Sequence, residues 1–294
     1  MTRVGPAGWA YKDWKGIVYP AHRERGFSEL AFVAQLFDTV EINTSFYGPI
    51  TAKTADQWLK QVDSNRRFRF TAKLWRGFTH ERSASAADES AFKEGLAPLL
   101  EASKIGAVLL QFPWSFRNTE ENLTYVAHLR DRFREYPLVL EVRHGSWSEP
   151  GILDTLEQLG VGLCNIDQPL FKRSVKPSAL ATSRVGYIRL HGRNYKSWFT
   201  ENKHVGERYD YLYSVEELDP WLDRIKAVEH ATSDTYVVTN NHYLGKAVVN
   251  AFEIKSILDS QPLPIPATLL ERYPDLVEFA VPKPEQGTLR FPLD

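Results

Sequence analysis

The sequence predicts an α/β fold, a single (β/α)₈ barrel of the TIM type with a Pro-rich C-terminal extension. Short apolar or β-branched segments alternate with amphipathic segments along the chain, as strands and crossover helices of a parallel sheet do. The strand candidates number eight, which closes such a barrel, and a chain of 294 residues is an ordinary length for one. We assign residues 1–260 to the barrel and residues 261–294 to an extended tail that packs on the barrel or on a neighbouring molecule.

The predicted strands follow one another in chain order as RVGPAGW, DTVEINTSFY, FRFTAKLW, AVLLQFP, LVLEVRH, VGLCNID, GYIRLHGR and TYVVTNNH. The predicted helices between and after them are FSELAFVAQLF, TADQWLKQV, ESAFKEGLAPLLEAS, TEENLTYVAHLRDRF, GILDTLEQLG, SVEELDPWLDRIKAVEH and LGKAVVNAFEIKSIL. Capping-box spacing of Thr54 with Gln57, and of Ser214 with Glu217, predicts two of the helix starts. The connection QPLFKRSVKPSALATS holds two prolines and no helical stripe, so it is predicted to be a loop.

Alternation along each strand predicts which side chains enter the barrel, because the apolar face of a strand turns towards the helices. In GYIRLHGR, for example, Ile188 and Leu190 face the helices, so Arg189 and His191 face the interior. The same argument predicts an inward set of Glu41, Asn43, Lys73, Trp75, Gln111, Glu141, Arg143, Asn165, Asp167, Arg189 and His191. On the last strand either Asn240 or Asn241 is the inward residue.

This inward set is rich in charge, with three cations (Lys73, Arg143, Arg189) and three carboxylates (Glu41, Glu141, Asp167). An isolated charge inside a barrel costs several kcal/mol, on the order of the penalties for buried ions, so these groups must pair or hold a ligand. A self-satisfied ion network that merely supports the barrel is one interpretation. Because apolar packing fills a barrel equally well, a functional site is the interpretation we favour.

Residues that follow the strands predict where the site lies. His144 and Trp147 follow the fifth strand, at the carboxyl end where barrel enzymes build their active sites. Six tryptophans fall at or just beyond strand ends: Trp9, Trp14, Trp75, Trp114, Trp147 and Trp198. Flat side chains at this rim suit the stacking of a sugar or a base. We therefore predict a pocket at the carboxyl-terminal mouth, walled by Trp9, Trp147 and Tyr47.

Composition limits the classes of function. The net charge is −1 and the pI about 6.7, so the chain has no overall positive field that would attract nucleic acid or an anionic membrane. The single cysteine, Cys164, lies on an apolar strand and excludes an internal disulfide. No signal peptide or membrane-spanning segment is recognisable, so we expect a cytoplasmic protein without a membrane partner.

Several ordered stretches resemble the YecE-like family, also called domain-of-unknown-function family 72. They are GPAGWAYKDWKGIVYP, FDTVEINTSFYGPITAKTADQW, FRFTAKLWRGFTH, LLQFPWSF, LVLEVRHGSW, DQPLF, GYIRLHGR and TNNHYLGKAVVNA, and they span roughly residues 4–258. Pro6 and Ala7 depart from the pattern, since relatives usually have a Ser or Thr before Ser-Gly-Trp. The resemblance implies a TIM-type barrel and brings no established activity.

Three hypotheses for function follow. The first is a metal-independent enzyme without cofactors that acts on a small anionic, polar substrate. In it Arg143, Arg189 and Lys73 orient a phosphate or carboxylate, Glu141 or Asp167 is the general base, and His191 or His144 donates a proton. Glu41, Asn43, Tyr47, Gln111, Trp9, Trp147, Asn240 and Asn241 complete the predicted binding surface.

The second hypothesis is a metal-dependent hydrolase or isomerase of the phosphodiesterase or nuclease type. Carboxylates and histidines supply enough donors for a divalent cation, but no tight ligand signature appears and the neighbouring cations oppose it. The third is a non-catalytic ligand- or nucleic-acid-binding protein, because HGRNYKSWF and LFKRSVK interleave basic and aromatic residues. The near-zero net charge disfavours nucleic acid as a partner.

Overall fold

The structure, a computed structural model, describes residues 1–196, 198 and 205–282. These residues form a sheet of eight parallel strands, which are Thr2–Pro6 (β1), Thr39–Ile42 (β2), Arg69–Lys73 (β3), Ile105–Gln111 (β4), Leu138–Glu141 (β5), Gly162–Asp167 (β6), Val185–Leu190 (β7) and Asp234–Thr239 (β8). Neighbours along the sheet are β1-β8-β7-β6-β5-β4-β3-β2. A bridge between Ala7 and Glu41 joins β1 to β2, the two strands at the ends of this order, and so closes the barrel. The Gly8 N–H also donates to the Glu41 carbonyl at 2.9 Å. The predicted barrel is confirmed.

Helices cover the outside of this barrel. Their bounds are Glu29–Leu36 (α1), Ala52–Val62 (α2), Arg76–Thr79 (α3), Ala86–Glu101 (α4), Glu120–Arg132 (α5), Ile152–Leu159 (α6), Val215–Ala231 (α7), Lys246–Asp259 (α8) and Ala267–Arg272 (α9). In the described part of the chain, no helix is both long enough and apolar enough to cross a membrane.

One of the two predicted capping boxes is confirmed. At the start of α7 the Glu217 N–H donates to Ser214 Oγ at 3.3 Å, and the Ser214 N–H donates back to Glu217 Oε2 at 3.1 Å. The box predicted at Thr54 is wrong, because α2 begins nearly one turn earlier. Its cap is Thr51, whose hydroxyl accepts from the Thr54 N–H at 3.2 Å.

The interior of the barrel has an apolar layer below a charged layer. The apolar layer is built from Ala7, Ala107, Leu109, Val139, Cys164, Ile166, Tyr187, Tyr236 and Val238. Above it, Lys73, Glu141 and Arg189 stand at or near the carboxyl ends of their strands, with Arg143 and His191 immediately beyond. The predicted inward orientation is confirmed for these residues and for Glu41, since they contact one another across the barrel. It is wrong for Trp75, which packs edge-on against Phe78 in the outer hydrophobic core, with ring centres 5.9 Å apart.

The predicted register of β6 is wrong by one residue. Cys164 and Ile166 enter the barrel, so Asn165 and Asp167 point outward. The connection from β6 to β7 has no regular helix, as predicted. Its loop lies against the outer face of β6, where Asn165 forms hydrogen bonds to it. Its Oδ1 accepts from the Leu180 N–H at 2.8 Å and from Ser178 Oγ at 2.7 Å. The outer face of β6 is therefore covered by polar backbone, and the rule that the apolar face turns outward does not hold there.

The described part of the C-terminal extension, residues 261–282, packs on the barrel. It contains α9 and a short 3-10 helix, Pro274–Phe279, and the Leu263 N–H donates to the Phe279 carbonyl at 2.8 Å. Tyr273 Oη donates to the Leu244 carbonyl at 2.7 Å, which ties the extension to the loop after β8. The division at residue 260 stays a prediction, and residues 283–294 of the predicted tail lie outside the described residues.

Candidate active site at the carboxyl end of the barrel

Arg189 on β7 lies at the centre of the charged layer, between two glutamates. Its Nη2 donates to Glu41 Oε1 at 2.7 Å, and its Nη1 donates to Glu141 Oε2. All three side chains are fully buried. A guanidinium held on both sides by carboxylates is a rigid positive charge that has no freedom to follow a substrate.

Arg143 is the second cation and lies nearer to the solvent. Its Nη2 donates to Glu141 Oε1 at 2.8 Å, and its Nη1 donates to Gln168 Oε1 at 2.9 Å. The guanidinium carbon lies 5.4 Å from the centre of the Trp198 ring, and 13% of the side chain is exposed. Because Arg143 keeps further N–H donors and some exposure, it is able to contact a ligand.

Lys73, the last residue of β3, is the third cation. Its Nζ lies 3.6 Å from Glu41 Oε1 and 5.7 Å from the centre of the Phe46 ring. Burial, together with the nearby charge of Arg189, lowers the pKa of Lys73 to about 8, although Glu41 opposes this change. The amine therefore gains and loses its proton close to neutral pH.

The two buried carboxylates are fully occupied. Glu41 Oε2 accepts from Tyr187 Oη at 2.9 Å, and Glu141 Oε1 lies 3.2 Å from His191 Nε2, in addition to the arginine contacts. Burial alone would raise the pKa of Glu141, but Arg189, His191 and Arg143 outweigh it and hold that pKa well below its ordinary value. Both glutamates thus pair with the buried cations, and their oxygens are poorly placed to accept a proton from a substrate.

His191 is held as a neutral imidazole. Burial and the charge of Arg143 lower its pKa to about 3. Asn240 Nδ2 lies 2.9 Å from His191 Nδ1, and an N–H donated there leaves the ring proton on Nε2, facing Glu141. Asn240 is therefore the inward residue of the pair that sequence alternation left open. Asn241 points away and donates to the Tyr211 carbonyl at 2.8 Å.

Asp167 lies outside the charged layer, which corrects its predicted place in the interior. Arg193 Nε donates a hydrogen bond to Asp167 Oδ2 at 2.8 Å, and Arg193 Nη1 also contacts Glu217 Oε1 at 3.1 Å. This pairing is on the outward face of β6, where the one-residue change of register puts it. Asp167 consequently balances Arg193 and not the cations of the interior.

The charges of the interior do not cancel once Asp167 is removed from them. We use the term central ion cluster for Glu41, Lys73, Glu141, Arg143 and Arg189. It contains three cations and two carboxylates, a difference of one positive charge while Lys73 is protonated. The two cations that are partly exposed are Lys73, the last residue of β3, and Arg143, which follows β5.

A cavity of about 310 Å³ opens above Arg143, and we call it the mouth cavity. Its walls include Gln111, Trp114, Arg143, Trp198, Arg208 and Tyr209. Trp114 and Trp198 are two of the six tryptophans that the sequence places at or just beyond strand ends. The sequence pattern includes them but does not distinguish them from the four that do not line this cavity. The volume is at the lower end of the range of about 300–1,000 Å³ that is usual for small-molecule sites.

The predicted aromatic wall is wrong for Trp147. That residue is 2% exposed, stacks on Phe116 with ring centres 5.3 Å apart, and donates from Nε1 to the Phe116 carbonyl at 2.9 Å. Trp9 packs edge-on against Trp58 beside a separate cavity, and Tyr47 is 70% exposed. A strand-end position thus does not by itself distinguish an aromatic that faces a ligand from one that closes the hydrophobic core.

His144 also lies outside the central ion cluster. Its Nδ1 lies 2.9 Å from Ser146 Oγ, its ring contacts Trp114 at 5.9 Å between centres, and burial lowers its pKa. Its Nε2 is buried without a hydrogen-bond partner among the described residues. His144 is next to the mouth cavity and is not one of its walls.

Four further side chains near the mouth have buried polar atoms that make no hydrogen bond within the described residues. These atoms are Asn43 Oδ1, Gln111 Oε1, Gln168 Nε2 and His242 Nδ1. They come from the ends of β2, β4, β6 and β8, four alternate strands of the barrel. Unpaired buried groups are rare in native proteins and each costs about 1–3 kcal/mol, so these atoms are free to bond to water or to a polar ligand.

No group of three or more His, Cys, Asp and Glu side chains is arranged to hold a metal ion in the part of the chain that the structure describes. The carboxylates nearest the mouth, Glu41 and Glu141, are already bound by guanidinium groups. The donor set of a metal centre is therefore not formed by these residues.

Comparison with known proteins gives one consistent result. The family model described as "Protein of unknown function DUF72" matches residues 3–271. The UPF0759 protein YunF of Bacillus subtilis is 28% identical over 274 residues, which are 88% of this chain and 95% of that protein. A DUF72 family protein of Thermotoga maritima, TM1631, has a solved structure with a TM-score of 0.79 and 31% identity, covering 88% of this chain and 99% of that one. A second, EF0366 of Enterococcus faecalis, has a TM-score of 0.76 and 26% identity, covering 88% and 96%. The barrel, the ordered motifs and these matches together show that the chain belongs to the DUF72 family.

Proposed function

We propose that the mouth cavity binds a small hydroxylated molecule carrying one phosphate or carboxylate group, and that the protein acts on it by acid–base chemistry that requires no metal. The observation that carries the proposal is the unbalanced charge of the central ion cluster. Three cations surround two carboxylates, and two of the cations, Lys73 and Arg143, are each 13% exposed. A bound anion supplies the missing negative charge.

Arg143 is the residue best placed to hold that anion. A guanidinium has five N–H donors, and Glu141 and Gln168 each accept from one of them. The two acceptors orient the planar group, and the remaining donors favour the paired oxygens of a carboxylate or phosphate. Trp198 beside it supplies an apolar wall that excludes water from the contact.

The unpaired polar atoms around the mouth indicate the rest of the ligand. Gln111 Oε1, in the wall of the mouth cavity, is an acceptor, while Gln168 Nε2, on the residue that holds Arg143, is a donor. A hydroxyl group donates one hydrogen bond and accepts others, so a polyhydroxylated molecule satisfies both kinds of atom. Trp114 and Trp198 then provide flat surfaces of the kind on which sugars stack. Sugar phosphates and sugar acids are the substrate class that these features support.

The geometry favours Lys73 for the proton transfer. The sequence suggests Glu141 or Asp167 as the base, but Glu141 is saturated with donors and Asp167 lies on the outer face of β6. His191 stays neutral and contacts Glu141. Lys73 alone among these groups has a pKa near 8, which allows it to take up and release a proton at neutral pH. We assign Glu141 and His191 the task of positioning the cations.

The test is to measure the binding of inorganic phosphate by isothermal titration calorimetry, in a buffer without other polyvalent anions. We expect Arg143→Gln to weaken binding about tenfold or more, because a hydrogen bond between charged groups contributes about 1.5–3 kcal/mol. Arg66→Gln is the matched control, since it removes the same charge from an exposed residue at the amino end of the barrel.

Equal binding by the wild type and both variants would place the anion elsewhere on the surface. Failure of the wild type to bind phosphate or small carboxylates at millimolar concentration would overturn the proposal. A strong increase of ligand affinity on adding a divalent cation, lost on chelation, would favour the metal-dependent alternative instead.

A further inference from the structure

We propose that Lys73 is a nucleophile that forms an imine with the carbonyl carbon of an anionic aldehyde or ketone held at the mouth of the barrel. The inference rests on the proposed function, because Arg143 must hold the anionic group while the carbonyl meets the amine. It goes further by naming a covalent step and a carbonyl-containing class of substrate.

The position of Lys73 fits a nucleophile. It ends β3 at the carboxyl end of the barrel, its side chain is 13% exposed, and its Nζ makes no hydrogen bond within the described residues. Its ion-pair contact, Glu41 Oε1, is 3.6 Å away and already accepts from Arg189 at 2.7 Å. The nitrogen is therefore held near the mouth without being tied to an acceptor.

Two other half-buried lysines, Lys104 and Lys93, are bound quite differently. Lys104 Nζ donates to the carbonyls of Asn65 and Arg66 at 3.0 and 3.2 Å. Lys93 Nζ contacts Glu89 and Glu135 at 2.8 and 2.9 Å. A nitrogen that donates to two acceptors must break those bonds before it attacks a carbonyl, and Lys73 has no such cost.

The charges around Lys73 favour its neutral, nucleophilic form. The groups that face it are Arg189 from β7, Glu41 from β2, and Glu141 and Arg143 from β5 and its end. Its charge also contributes to lowering the pKa of His80, which follows α3, and of His242, which follows β8. Burial and the cations together lower the pKa of Lys73 to about 8, whereas an exposed lysine stays almost fully protonated at that pH. A desolvated amine beside another cation is an established way to activate a lysine.

The step is balanced without any further reagent. The lone pair of Lys73 Nζ attacks the carbonyl carbon, a carbon–nitrogen bond forms, and the π bond of the carbonyl breaks onto its oxygen. One proton moves from nitrogen to this oxygen, and a proton from solvent converts the resulting hydroxyl into a water molecule, which leaves as the carbon–nitrogen double bond forms. An amine, a carbonyl and one proton thus become a protonated imine and one water molecule. The protonated imine withdraws electrons from the neighbouring carbon, which favours isomerisation or carbon–carbon bond cleavage.

The experiment is reductive trapping. The protein is incubated with pyruvate or with dihydroxyacetone phosphate, reduced with sodium borohydride, and analysed by intact mass and peptide mapping. Acetone serves as the uncharged carbonyl control. We expect one adduct on Lys73 with each anionic probe, little with acetone, and more adduct as the pH rises from 6 through about 8.

Two variants make the test specific. Lys73→Arg keeps the positive charge and removes the nucleophilic amine, so it should abolish trapping. Lys104→Arg makes the same exchange at the opposite end of the barrel and should leave trapping unchanged.

Phosphate binding without any adduct on Lys73 of the wild type would overturn the imine and leave the proposed function standing. Adducts spread over surface lysines, or equal labelling of Lys73→Arg, would overturn it as well. If neither probe is trapped and phosphate does not bind, both inferences fail together. The mapping of wild-type protein decides the question even if the Lys73→Arg variant does not fold.

Discussion

Replacing Arg189 by methionine should destabilise the protein by about 3–5 kcal/mol, the cost of removing one partner from a buried ion pair. Arg189 is fully buried and is the shared cation of Glu41 and Glu141. Among the described residues, Glu141 would keep Arg143 at 2.8 Å without it, whereas Glu41 would keep Tyr187 Oη at 2.9 Å and the more distant Lys73 ammonium at 3.6 Å. The carboxylates would remain desolvated while the compensating charge is lost.

A second substitution separates electrostatics from packing. The double variant Arg189→Met with Glu41→Gln removes one cation and one carboxylate, so the remaining charges are Lys73, Arg143 and Glu141. We expect it to be more stable than Arg189→Met alone by about 1–2 kcal/mol, although it carries one more substitution, because Glu141 keeps Arg143 at 2.8 Å and the poorly compensated carboxylate of Glu41 is gone.

Urea denaturation followed by circular dichroism at pH 7 measures both effects, and thermal melting gives a second reading of about 2–4 °C for each kcal/mol in a chain of this size. If Arg189→Met unfolds within about 1 kcal/mol of the wild type, or if the double variant is the less stable of the two, the argument from charge compensation is wrong. A loss of stability in Arg189→Met that the second substitution does not relieve would assign the role of Arg189 to packing.

Two further predictions concern parts of the fold away from the mouth. Burial raises the pKa of Glu253 on α8 from 4.5 to about 7. The free energy of unfolding therefore decreases as the pH rises from 4.5 to about 7, because the unfolded chain ionises this carboxyl first, and the loss is complete above about 7. Glu253→Gln should therefore raise the melting temperature at pH 8, by an amount equivalent to at most about 3 kcal/mol, and leave it unchanged at pH 4; a larger gain at pH 4 would contradict the assignment. Asn165→Leu should cost about 1–3 kcal/mol, because it leaves the Leu180 N–H and carbonyl unpaired, and should speed proteolysis within residues 168–184. Unchanged cleavage of that segment would show that Asn165 does not hold the loop.

Local patterns were sufficient for the barrel and for most of its charged layer. Alternation predicts that Glu41, Lys73, Glu141, Arg143 and Arg189 turn inward, and the structure confirms each of them. This works because a strand covered by a helix must turn its apolar face outward, so the opposite face is determined by residues two positions apart. The eight strand segments are likewise recognisable, since each contains enough apolar residues to be buried.

Only the tertiary structure decided the orientation of β6 and the members of the aromatic wall. Asn165 turns outward because a loop, whose backbone needs hydrogen-bond partners, covers the outside of that strand, and nothing within VGLCNID reveals what will cover it. Trp147 fills the core whereas Trp198 lies over Arg143, although both follow strand ends. Which aromatic closes the core and which faces the mouth depends on contacts between segments far apart in the chain. The consequence for function is the unbalanced positive charge, which appears once Asp167 is found paired with Arg193 and not with the cations of the interior.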